Sequence, residues 1–285
     1  MTLLHRLKTG VVLTKDAILV LRHHPKLFVF PIISAVTGLA FLALFLGVTF
    51  GLMAIDPEGA VLVGLALAYF ALTFVSSFFT AALVHQSRAA IAGERPSVRA
   101  GIEAAWGVKG KIAIWALVSA TVGVIINAIE NSNSSAARIF GTVFGVAWTL
   151  LTFFIIPTIV FEKPSTTGMF KSSASRFKET WGETPVSLVA VQIVSFVALV
   201  PFLLMAYLAL SIDPILAIGF VLAGVLVGFL LTQTLQGVIK TALYIYATEG
   251  VRPPEFDDID FDDLAREDER TSRPPSEPPT TGGFH

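Results

Sequence analysis

Polar side chains are scarce in this sequence, so those set inside apolar runs are where any chemistry would have to lie. Gln233, Gln236 and Lys240 recur at i, i+3 and i+7, a spacing that places them on one face of a helix. Gln192 stands in the preceding apolar run, and Ser76, Ser77 and Thr80 stand in an earlier one. Amides, hydroxyls and one ammonium are not the clustered titratable groups that general acid–base catalysis requires. They suit hydrogen bonding between helices, worth about 1 kcal/mol each inside a membrane. The alternative is the lining of a polar pathway, although no acidic or basic residue occupies the centre of an apolar run, where ion-coupled pathways place their charges.

Residue types exclude much other chemistry. The chain has no cysteine, which removes disulfides, thiolate nucleophiles and thiolate metal sites. Of its five histidines, His23 and His24 are adjacent and point about 100° apart on a helix, unlike an i, i+4 ligand pair. His5 lies in the opening basic segment, His85 beside Gln86 and Arg88 at the end of an apolar run, and His285 at the last position. No HExxH, Walker loop, GxSxG or GxGxxG is found. The stretch KSSASRFKETWGETP (171–185) has the polarity of an active-site loop. At helical spacing it resolves into an apolar stripe of Phe170, Ala174, Phe177 and Trp181, and its serines are expected to pack and cap. The expectation is a non-enzymatic protein with no catalytic residue, no metal and no cofactor.

The elements that must position these residues follow from composition. The chain is 54% hydrophobic and 14% charged, with mean hydropathy +0.75, whereas soluble domains are about 25% charged. A membrane helix needs about 20 apolar residues. Six runs qualify, at about 27–53, 60–84, 112–130, 139–161, 185–211 and 214–239. They predict an all-α polytopic bundle of six transmembrane helices. The opening 25 residues are charged rather than signal-like, so the first span is expected to direct insertion. Of the 20 Lys and Arg, all but Arg138 fall before the first span, in the second-to-third or fourth-to-fifth connections, or from Lys240 onward. The positive-inside rule then puts both termini in the cytoplasm, with the protein in the plasma membrane.

The connections on the basic side carry a recurring unit. ERPSVRAGIEAAWG (94–107) and EKPSTTGMFKSSASRFKETWG (162–182) share a Glu-Arg/Lys-Pro-Ser start and a Trp-Gly end. In the first, Val98, Gly101, Ile102, Ala105 and Trp106 fall on one helical face, with Ser97 at the N-cap position. The opening segment supplies a third version, with Leu4, Leu7, Val11, Ile18 and Leu21 on one face. Three cytoplasmic amphipathic helices are expected, with Trp106, Phe177 and Trp181 as interfacial anchors. GxxxG pairs at Gly47/Gly51, Gly141/Gly145 and Gly224/Gly228 predict close helix packing, and Pro31, Pro157 and Pro201 predict kinks or helix boundaries. Residues 251–285, acidic and then rich in Pro, Ser and Thr, are expected to be a disordered cytoplasmic tail.

Several segments taken together (HPKLFVFP, FFTAALVHQ, IPTIVFEKPS, SSASRFKETWGET and ALYIYATEG) resemble an uncharacterised six-helix membrane family of halophilic archaea, domain of unknown function 6159. The likeness covers nearly all of residues 1–250. More distantly, IPTIVFEKPS…MFKSSASRFKETWG is similar to the membrane domain attached to some glycerophosphodiester phosphodiesterases. The resemblance implies a fold and a membrane location but no activity, since the catalytic part of those enzymes is a separate domain. The expected role is a membrane scaffold or lipid-interacting protein, and the alternative is a small-solute or lipid transporter. Membrane lipids are the expected partners, with a protein partner possible through the acidic tail and no nucleic acid.

Overall fold

The structure is a computed structural model that describes residues 3–179 and 184–249. Trp181 and the acidic tail lie outside the described residues. Among those described, the chain is helical throughout with no strand: α1 (Leu3–His23), a 3-10 turn (Pro25–Phe28), α2 (Val29–Leu52), α3 (Pro57–Ile91), α4 (Val98–Gly107), α5 (Lys109–Glu130), α6 (Ser135–Leu151), α7 (Ile155–Phe161), α8 (Gly168–Glu179), α9 (Thr184–Ala209) and α10 (Pro214–Glu249).

Among the described residues, six helices are long and apolar enough to cross a membrane: α2 with its preceding turn, α3, α5, α6 with α7, α9 and α10. They pair as three hairpins, α2 with α3, α5 with α6, and α9 with α10. Helix α3 is the hub, packing on α2, α4, α5, α7 and α10. Helices α3 and α10 run on to Ile91 and Glu249, past the expected limits at 84 and 239. The apolar run marks where lipid must be matched, while the helix continues for as long as its backbone bonds close.

Local signals account for the helix ends. Asp56 caps α3 by accepting from the Gly59 N–H at 3.2 Å, and Ser97 and Ser134 cap α4 and α6 in the same way. At the far end of α3, Gly93 takes φ +76°, and the N–H groups of Gly93 and Glu94 bond the carbonyls of Ala90 and Ala89. This is a Schellman stop, which favours glycine because a Cβ disfavours that backbone region. Pro31 sits in the first turn of α2, where its missing N–H costs nothing, so it starts the helix and does not kink it. Pro201 lies inside a continuous α9.

Pro157 does interrupt its span. With no N–H at Pro157, the chain breaks between α6 and α7 at residues 152–154. The Ile155 N–H turns back to the Thr152 carbonyl, leaving the Leu151 carbonyl without that backbone donor. The Ser173 hydroxyl of α8, fully buried, donates to it at 2.8 Å.

The dense core occupies one end of the molecule, where the basic connections gather. Phe30, Leu83, Ile112, Phe154, Ile159, Met169, Leu243 and Tyr244 meet there, joined by Leu13, Ala17 and Val20 of α1. At the opposite end the hairpins present apolar side chains outward, with Phe50, Ile139, Tyr207 and Leu222 all exposed. Lipid is the medium that accommodates such a surface on a chain of this composition.

The face assignments differ in detail from those expected. In α1 the buried apolar residues are Leu13, Ala17, Val20 and Leu21, whereas Ile18 is exposed. In α8 the buried line is Met169, Ser173 and Phe177, with Phe170 and Ala174 beside it. The glycine pairs also divide. A Cβ on Gly224 would meet Phe202 Cβ at 2.6 Å, and one on Gly141 would meet Glu130 Cγ at 2.9 Å, but Gly47 and Gly51 face open space.

Candidate functional site

Helix α10 approaches α3 through Gly237, where a Cβ would fall 2.4 Å from Leu83 Cδ2. The face of α10 next to that contact carries Gln233, Gln236 and Lys240, and it looks into a cavity of about 610 Å³. Helix α3 contributes Ser76, Ser77 and Thr80 to the wall, and α9 contributes Gln192. Trp115 and Ser119 of α5, Thr149 of α6 and the broken segment Thr152–Phe153 complete it. The four polar residues expected from sequence spacing are thus brought to one cavity, together with the hydroxyls of α3.

Amides and hydroxyls interrupt an otherwise apolar lining, which among the described residues carries one charge. Lys240 Nζ lies 5.0 Å from the centroid of the Phe153 ring, a cation–π arrangement. Gln192, Gln233, Gln236 and Lys240 make no hydrogen bond or ion pair with the described residues. Polar groups at membrane depth need partners, so water or a ligand must supply them. The hydroxyls of Thr149 and Thr152 donate to the Gly145 and Trp148 carbonyls of their own helix at 2.9 and 2.7 Å, leaving oxygen lone pairs for acceptance. Trp115 and Trp148 stack with centroids 6.0 Å apart and form an aromatic wall.

Access is lateral. The α5–α6 and α9–α10 hairpins bound the cavity on two sides but share no extended packing with each other; α3 backs it. Trp115, Trp148, Ser119 and Thr149 were not singled out from sequence. Their only signal was a tryptophan or hydroxyl within an apolar run, which helical periodicity does not separate from ordinary lining. Asn127, a polar group in the same class, lies away from the cavity and accepts from Asn131 Nδ2 through its carbonyl and Oδ1.

The expected anchors have different surroundings. Trp106 is 60% exposed on α4, edge-on to Phe78, with Lys109 Nζ 3.9 Å from its ring centroid. Phe177 is 2% exposed and belongs to the core, because the face of α8 that carries it packs on α7 and α6.

Near the cavity, the segment ending α7 is tied down by polar contacts. Glu162 accepts from Tyr244 Oη at 2.8 Å and from Arg176 Nε at 3.4 Å, linking α10 and α8 to the end of α7. Arg88 of α3 pairs with Glu249 of α10 and lies over the Phe161 ring. Gln86 accepts from the Ser97 N–H at 2.7 Å and seats α4 on α3. These groups satisfy one another, so they hold the cavity's walls and offer no free chemistry.

No curated protein and no solved structure matches the chain. The profile of a family of unknown function (DUF6159) matches residues 59–253, a narrower stretch than the 1–250 over which the resemblance was expected. That match runs from the start of α3 to the end of α10 and includes every residue lining the cavity. The chain belongs to this family of unknown function, DUF6159, and its cavity is built wholly from the segment that defines membership.

Proposed function

We propose that this is a non-enzymatic integral membrane protein that binds a lipid in the leaflet on its basic side. The observation that carries this reading is the cavity, with its unpartnered amides, between the α5–α6 and α9–α10 hairpins, which share no extended packing with each other. A site entered from within the bilayer suits a ligand that is itself resident there. Its volume falls in the range of about 300–1,000 Å³ typical of small-molecule sites. The gathering of Lys and Arg supports a cytoplasmic basic end, with both termini on that side of the plasma membrane. In this arrangement α1, α4 and α8 lie at the inner surface, with Trp106 at headgroup level. A scaffold role, with the acidic tail engaging a protein partner, is compatible with lipid binding.

A second reading, a transporter for a small solute or lipid, is favoured by the break at Pro157, which places a joint in the cavity wall. The absence of cysteine makes one experiment direct. Single cysteines at 192, 233, 236 and 240 are expected to react with charged thiol reagents added from the basic side, while cysteines at 196 and 222 stay unreactive. Reaction at 240 alone would remove the case for a hydrated cavity, and reaction from both sides would favour the transporter.

A further inference from the structure

We propose that the cavity recognises the phosphate of an anionic lipid headgroup, with Lys240 as its counter-charge. The inference rests on the reading of the cavity as a lipid site and names the chemistry of the ligand. Among the described residues Lys240 is the one charged side chain in the lining, and no carboxylate pairs with it. A half-buried ammonium among tryptophans, threonines and glutamines is costly to keep unless an anion accompanies it. Lysine serves phosphate as a point charge. The unpartnered amides of Gln233 and Gln236, one turn apart on the same face, add N–H donors for phosphoryl oxygens. A cationic headgroup would find no carboxylate in this wall.

Depth selects the same ligand. At 1.5 Å per residue, Lys240 lies about 39 Å along α10 from Pro214, and Gln233 about 28 Å. The hydrocarbon layer is about 30 Å thick. If Pro214 marks one boundary, Gln233 reaches the other, and Lys240 stands beyond it among the headgroups. On the hydrocarbon side of the cavity, α9 presents Ile193, Phe196 and Val200 outward, and α6 presents Val143 and Val146. In the proposed complex acyl chains would lie along these exposed apolar faces, with the phosphate above them.

The test uses the full-length protein purified in mild detergent and exposed to equimolar phosphatidylglycerol and phosphatidylcholine, with retained lipid read by native mass spectrometry. The wild type is expected to retain phosphatidylglycerol about tenfold over phosphatidylcholine, equivalent to about 1.4 kcal/mol. Lys240→Gln brings the two to parity and Lys240→Arg keeps the preference. Lys171→Gln, which removes an exposed charge outside the cavity, leaves it unchanged. Equal retention by the wild type, or a preference that survives in Lys240→Gln, overturns the phosphate assignment while leaving lipid binding intact. Retention of neither lipid overturns the lipid reading itself. Glycerol phosphate is the soluble arm: if it stabilises the wild type but not Lys240→Gln, and no lipid is retained, the Lys240 anion chemistry belongs to a soluble ester and the lipid source is overturned. Should Lys240→Gln fail to fold, Lys240→Met supplies the uncharged variant, and a preference that survives in it overturns the assignment in the same way.

Discussion

The serines and the glutamate in the two basic-side segments divide the polar side chains of this molecule into those that are satisfied and those that are not. Ser173 donates to the Leu151 carbonyl that the α6–α7 break leaves open, and Glu162 accepts from Tyr244 and Arg176. Both lie in the IPTIVFEKPS…SSASRFKETWG stretch that carries the family resemblance, so what marks the stretch is the repair of a broken helix. Ser173→Ala leaves the Leu151 carbonyl without its donor, and a loss of about 1 kcal/mol is expected. A thermal melt in detergent checks this; an unchanged midpoint would mean that water replaces the hydroxyl. By contrast Gln192, Gln233, Gln236 and Lys240 have no hydrogen-bond or ion-pair partner among the described residues. These four side chains line the cavity and are available to a ligand there.

At the scale of elements, close approach is governed by which small residues meet, not by how many the helices contain. Gly224 lets α9 and α10 touch, with Phe202 Cβ only 2.6 Å from where its own Cβ would stand, while Gly47 meets nothing within 4 Å. Gly224→Leu is expected to destabilise the protein by about 1–3 kcal/mol through overpacking, and Gly47→Leu to be neutral. Size-exclusion profiles after a heating series compare the two, and equal sensitivity would show that Gly47 packs against a second chain. The break at Pro157 has a related consequence. It frees the short helix α7 to pack into the core on α3 and α8 while α6 stays splayed at the opposite end, and the cavity forms at their junction. The periodicity of residues 139–161 is continuous across that break, so the sequence alone showed one span with a proline near its end.

Across the whole molecule, the tight end and the splayed end perform different tasks. The tight end is closed by α1, which lays Leu13, Ala17 and Val20 against α9 and α10, the hairpin that bears Gln192 and Lys240. Removing residues 1–23 is expected to leave the six apolar helices able to insert but to lower the melting temperature and raise the aggregated fraction on size exclusion. A truncated protein as stable as the full chain would show that α1 does not close the core. The sequence by itself determined the class of molecule and the number of apolar helices, because a chain segment in hydrocarbon must close its own backbone hydrogen bonds and therefore shows itself as a long apolar run. It also determined that Gln233, Gln236 and Lys240 share a face, since helical geometry is local. Only the tertiary structure decided that Gln192, Ser76, Ser77, Thr80, Trp115 and Trp148 join that face around one cavity, and that Phe177 packs inward while Trp106 stays exposed. Those outcomes depend on contacts between helices distant in sequence, where the fit of one surface to another settles which neighbour each residue meets.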